Sequence, residues 1–255
     1  MKLQQLIFSP TGGTRSVSDS LASGLSGIST SHEITDLCVK AEELEVPQVS
    51  ETDLVLIAMP VYAGRIPPYA IQRLSEIASN HARAVVIAVF GNRHYDDALL
   101  ELQRTATALG YRVIAAIAAI AEHSIVRAYG HGRPDDQDTG QLQAFGRQIV
   151  EKLMSGDDSL PTVPGNDPYK PLVECSHPMA SQSCDRCGRC AKSCPAGAIP
   201  QDDPAQTNEA KCISCMRCVS ACPRQARSIG DAKLAKLADM LKAPCAIRKP
   251  NELYL

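Results

Sequence analysis

The residues best suited to chemistry are cysteines. The chain has 255 residues and eleven cysteines, ten of them between Cys175 and Cys245. Residues 184–195 read Cys184-x2-Cys187-x2-Cys190-x3-Cys194-Pro195, and residues 212–223 repeat this as Cys212-x2-Cys215-x2-Cys218-x3-Cys222-Pro223. Three closely spaced thiolates grip one face of an iron–sulfur cubane, and a run of this spacing ending in Cys-Pro belongs to [4Fe–4S] binding. Structural zinc also takes Cys-x2-Cys pairs, but four tetrahedral ligands leave the third cysteine and the Cys-Pro ending without a role. Cys38, Cys175 and Cys245 fall outside both runs, and Cys38 reads as a small buried hydrophobe.

A second chemistry is written in three loops. Ser9-Pro10-Thr11-Gly12-Gly13-Thr14 follows an apolar run and precedes a helical pattern. Small residues let backbone N–H groups converge there, hydroxyls add donors, and a helix N-terminus favours an anion, which suits a phosphate. No Gly-Lys-Ser/Thr follows, and the loop is not G-x-G-x-x-G. Pro60-Val61-Tyr62-Ala63-Gly64-Arg65 and Phe90-Gly91-Asn92-Arg93-His94-Tyr95 each set an aromatic near Gly or Ala, where a flat ring can stack while backbone approaches its edge.

Residues 1–154 resemble the flavodoxin family, whose phosphate loop is a hydroxyl-rich T-x-T-G-x-T and whose three loops hold FMN. The resemblance implies Ser9, Thr11, Gly12, Gly13 and Thr14 on the phosphate. It implies Pro60, Val61, Tyr62, Ala63 and Gly64, with Phe90, Gly91, Asn92, Arg93 and Tyr95, around the isoalloxazine. Residues 180–229 resemble a two-cluster bacterial ferredoxin, in which the fourth cysteine of each run ligates the other cluster. That implies one [4Fe–4S] cluster on Cys184, Cys187, Cys190 and Cys222, and a second on Cys212, Cys215, Cys218 and Cys194. The whole chain resembles bacterial flavodoxin–ferredoxin fusion proteins.

The elements that must position these residues are legible as periodicity. Leu3–Phe8, Leu54–Met59, Ala84–Phe90 and Val113–Ala119 are short apolar runs that read as buried strands, with His32–Leu37 a weaker fifth. Helical spacing links Val17, Leu21 and Leu25; Ile71, Leu74, Ile77 and Ala78; Ala98, Leu99, Leu102, Ala106 and Leu109; and Leu142, Phe145, Ile149 and Leu153. The expected fold is α/β: a doubly wound, five-stranded parallel sheet, with ligands beyond the carboxyl ends of its strands. A small α+β domain follows at 179–230. Between them, 155–178 carries five prolines and reads as a linker, extended across a surface or packed along it. Leu234, Leu237, Ala238 and Leu241 mark a short helix in a tail, 231–255, that packs back. The 122–140 segment reads as a plain loop.

Composition excludes several classes. Lys+Arg is 26 against Asp+Glu 28, no footprint for a nucleic-acid binder. The longest apolar run, Val113–Ala121, is about half of the roughly 20 residues a membrane span needs. The N-terminus lacks a signal-peptide pattern, so a cytoplasmic location is expected. The expected function is electron relay between FMN and two clusters, with redox proteins as donor and acceptor. The alternative is a flavin-dependent reductase whose small-molecule substrate binds over the flavin and whose ferredoxin part feeds it.

Overall fold

The computed structural model describes residues 1–173 and 175–255. In chain order the elements of the first unit are β1 (Lys2–Ile7), α1 (Gly13–Gly24), β2 (Ser31–Asp36), β3 (Leu54–Pro60), α2 (Pro68–Ser75), β4 (Arg83–Phe90), α3 (Ala98–Ala108), β5 (Arg112–Ile120) and α4 (Asp136–Met154). Then come β6 (Met179–Ala180), α5 (Arg189–Ser193), α6 (Arg217–Ser220), β7 (Arg227–Ser228), α7 (Asp231–Lys242) and β8 (Glu252–Tyr254).

The apolar runs become the central strands because both of their faces are covered. Every residue of β3 is buried, and alternation sends Leu54, Leu56 and Ala58 to one core and Val55, Ile57 and Met59 to the other. The first core holds Val17 and Leu21 of α1 and Leu142 and Ile149 of α4; the second holds Leu74 of α2 and Leu99 and Leu102 of α3. The strand order is β2-β1-β3-β4-β5-β8. Its first five members run parallel in the flavodoxin-like doubly wound order.

The sixth strand corrects the expectation of a five-stranded parallel sheet. β8 pairs antiparallel with β5, Leu253 opposite Ile117, so the sheet is mixed. Three residues of mixed polarity leave no periodic signal. Their place is set by tertiary contacts: Asn251, buried, accepts from the Ile120 N–H at 2.9 Å and donates to Asp138 and Gln141. Leu241 of α7 and Cys245 just beyond it pack against Val126, and the Tyr129 hydroxyl donates to Ala238 O at 2.6 Å. The 122–140 segment is thus a platform for the tail.

The proline-rich stretch lies along the first unit. Asp158 pairs with Arg83 at 2.6 Å, the Gln103 amide donates to Pro161 O, and Val163 packs on the core. The fully buried Asp97 accepts from the Asn166 N–H and side chain and from the Lys170 N–H, at 2.6–2.9 Å. Three fixed N–H donors hold its carboxyl below the usual range although burial pushes the other way.

Candidate functional site

The cysteine repeats fold alike. Gly188 and Met216, 28 positions apart, are both left-handed, and each precedes a short helix, α5 or α6. The Ala198 N–H donates to Cys194 Sγ at 3.3 Å, and its counterpart Ala226 donates to Cys222 Sγ at 3.2 Å. Two cavities open between the repeats. One is walled by Cys184, Cys187, Cys190 and Cys222, the other by Cys194, Cys212, Cys215 and Cys218. Each cavity therefore takes three thiols from one repeat and the fourth from the other. Among the described residues no three His, Cys, Asp or Glu side chains converge on a single-ion site; the thiols surround a volume instead. Burial pushes the Cys215 thiol up to about 12 and Cys218 to about 11. Thiolates there need a compensating positive charge, which iron in a cluster supplies.

Beyond the carboxyl ends of β1, β3, β4 and β5 lies a small cavity, at the place where ligands bind in a sheet of this kind. Thr11, Gly13 and Thr14 line it from the first loop, Pro60, Val61 and Tyr62 from the second, Phe90 and Gly91 from the third. Two glycines let the loops meet: a Cβ on Gly13 would stand 2.8 Å from the Ala121 Cβ, and one on Gly91 2.6 Å from the His123 ring. Gly12 turns the chain at φ 95°, and Ser9 Oγ accepts the Arg15 N–H at 2.9 Å. Among the described residues the N–H groups of Gly12, Gly13 and Thr14 have no protein acceptor, which fits an anionic group at this helix start.

Five residues expected around the ring do not line this cavity. Tyr95 is 3% exposed, bonded through its hydroxyl to Glu252 and Tyr254 and stacked on His94; it anchors β8. Asn92 donates to Cys245 O and Ile247 O, so it clamps the tail. Arg93 pairs with Asp96. Ala63 sits exposed on the Tyr62–Arg65 turn, and Gly64 packs against the Asp96 side chain. No expected site residue falls in the fourth loop, yet Glu122, His123 and Ser124 line the cavity. His123 Nδ1 accepts from the Ile125 and Val126 N–H groups, at 3.2 and 3.0 Å. Burial, aided by Arg93, lowers its pKa to about 4, so the ring is neutral at pH 7. A polar Glu-His-Ser directly after the fifth apolar run was the available signal.

The two sites adjoin. Thr11 borders both the loop cavity and a cleft shared with Arg217 and Ser220, and Arg217 borders the second cysteine cavity. The Tyr69 hydroxyl donates to Pro195 O at 2.6 Å, Arg217 stands 3.9 Å from Asp36, and Ile213 packs on the first unit's core. Burial raises the Tyr62 phenol well above its ordinary value, and Cys215 and Cys38 add to the effect. Cys38 is a buried thiol, raised by the same cause.

Residues 183–227 match the model of the 4Fe-4S dicluster domain family. No curated protein matches the sequence. Among solved structures, a flavodoxin from the domain Archaea is similar at 12% identity and a TM-score of 0.45, over 60% of this chain and 99% of that one. The two-electron reduced flavodoxin of Megasphaera elsdenii is similar at 15% and 0.39, over 56% and 98%. The rubredoxin oxygen:oxidoreductase of Desulfovibrio gigas is similar at 14% and 0.43, over 60% of this chain and 36% of that one. Strand order and the domain match together define a fusion of a flavodoxin-like unit with a 4Fe-4S dicluster domain. Such a pairing implies electron transfer. No helix among the described residues is long and apolar enough to cross a membrane.

Proposed function

We propose that the chain is an electron relay that holds FMN in the loop cavity and one [4Fe–4S] cluster in each cysteine cavity, and that exchanges electrons with redox partner proteins. The observation that carries this reading is the adjacency of the sites: Arg217 borders the second cysteine cavity and the cleft that Thr11 shares with the loop cavity. When bound, FMN exchanges two electrons singly or together, and each cluster exchanges one, which is the chemistry of a converter between carriers of the two kinds.

The chain's own residues hold and align. The N–H groups of Gly12, Gly13 and Thr14 and the hydroxyls of Thr11 and Thr14 would take the phosphate. Tyr62 and Phe90 would flank the ring, and the neutral His123 offers a hydrogen bond from Nε2, because its Nδ1 is already an acceptor. The proline-rich strap and the tail keep the two units in one arrangement, where tethering replaces diffusion.

Anaerobic reconstitution should give about eight irons, eight sulfides and one FMN per chain. Stopped-flow reduction of the clusters through the flavin should then follow first-order kinetics independent of protein concentration. Rates proportional to concentration would show two independent carriers on one chain. Flavin reoxidation that requires a small organic substrate would favour the reductase reading.

A further inference from the structure

The two repeats carry residues of opposite character at a place buried in both. Counting 28 residues on from Ile199, which is 4% exposed in the small apolar cluster around Cys190 and Cys194, leads to Arg227, which is 2% exposed. One repeat places a hydrocarbon here and the other a guanidinium. Burying a cation is unfavourable unless something opposes its charge. None of its hydrogen-bond partners is a carboxylate: it donates to Pro178 O and the Thr207 hydroxyl from one terminal nitrogen, and to Pro204 O and Gln206 O from the other. Its Nε has no acceptor among the described residues.

Arg227 stands between the cysteine sites. It lines the cavity of Cys184, Cys187, Cys190 and Cys222. Pro178 and Thr207, which take its first terminal nitrogen, line the other cavity, that of Cys194, Cys212, Cys215 and Cys218. Other basic residues nearby are less buried: Arg186 faces Asp203 and Arg224 pairs with Asp185, both largely in water, where such charges are screened, and the half-buried Arg217 at the second cavity stands 3.9 Å from Asp36.

We propose that Arg227 is the charge-compensating residue shared by the two cysteine sites, a fixed internal cation that holds their negative charge and raises the reduction potential of the clusters. The inference rests on the reading that both cavities carry [4Fe–4S] clusters. Four thiolates around an oxidised core carry a net charge of about −2, and one electron from the donor makes it about −3 with no bond formed or broken. A cation at short range inside a medium of low dielectric therefore favours the reduced form more than the oxidised one. Ile199, its counterpart, supplies only packing.

The test is an EPR-monitored redox titration of the full, anaerobically reconstituted chain, native against Arg227→Met and Arg227→Lys. Arg227→Met should move the reduction equilibrium of at least one cluster roughly tenfold toward the oxidised form, about 59 mV for a one-electron couple. Arg227→Lys should stay near the native potentials. Loss of iron from the Met variant alone would equally support the proposal, since Lys keeps the positive charge that Met lacks. Unchanged potentials in Arg227→Met would overturn it. So would equal shifts, or equal loss of iron, in both variants, which would mark a role in shape rather than charge. A native chain that takes up no iron would overturn the cluster reading itself and this proposal with it.

Discussion

Thr14 is buried at the start of α1 while Thr11 stands exposed on the rim, so the two hydroxyls reach the loop cavity from different depths. Hydrogen bonds to a charged group are worth about 1.5–3 kcal/mol each. Replacing both threonines with alanine should therefore weaken FMN at least roughly a hundredfold, read by fluorescence titration. Affinity within a few-fold of native would move the phosphate elsewhere. The residues visible in the sequence were those whose type fits few other roles: the eight cysteines at fixed spacing, and a hydroxyl-glycine loop after a strand. Tyr95 and Asn92 have types that suit either a ring or a core, and only the third dimension assigns them to the tail. His123 was hidden for the converse reason, because one histidine in a polar loop carries no periodicity.

Strand β8 has three residues and depends on a neighbour that is not a strand. Asn251 satisfies the Ile120 N–H at the end of β5 and links it to Asp138, whose carboxylate also receives the buried Arg133. Asn251→Ala leaves that N–H buried without an acceptor, at a cost of about 1–3 kcal/mol. The expected result is a lower midpoint of chemical denaturation with unchanged slope. A midpoint equal to native would mean that water replaces the side chain. The five longer strands could be read from apolar runs because covering both faces of a sheet demands them. β8 could not, since its pairing is an edge contact set by side chains 110 or more positions away.

Across the whole molecule the two units are tied twice, by the strap before β6 and by α7 and β8 after β7. Arg65 draws the first tie to the loop after β3, with a guanidinium that binds Glu101 at 2.7 Å and Lys170 O at 2.5 Å. Asp97→Ala removes three acceptor contacts from the strap. Limited proteolysis within 158–170 should then run at least roughly tenfold faster, as charge-assisted bonds of about 1.5–3 kcal/mol imply. Cleavage at the native rate would show that Arg83 and Gln103 suffice. The sign with pH follows from the lowered Asp97 carboxyl: its contribution is complete above the ordinary value of 3.8 and is lost as pH falls through the lower value it has in the folded chain.

The position of β8 has a consequence for the order of events during synthesis. Five strands of the sheet leave the ribosome before the cysteine repeats, and the sixth leaves after them. Until then the outer edge of β5 offers unpaired backbone groups to any passing strand, the condition under which sheets join the wrong neighbour. Cysteine repeats that assemble early bring β8 to that edge; repeats that stay open leave it on a longer, looser chain. On the cluster reading, growth without iron should lower the soluble yield of the chain, although no proposed cysteine ligand belongs to the flavodoxin-like unit.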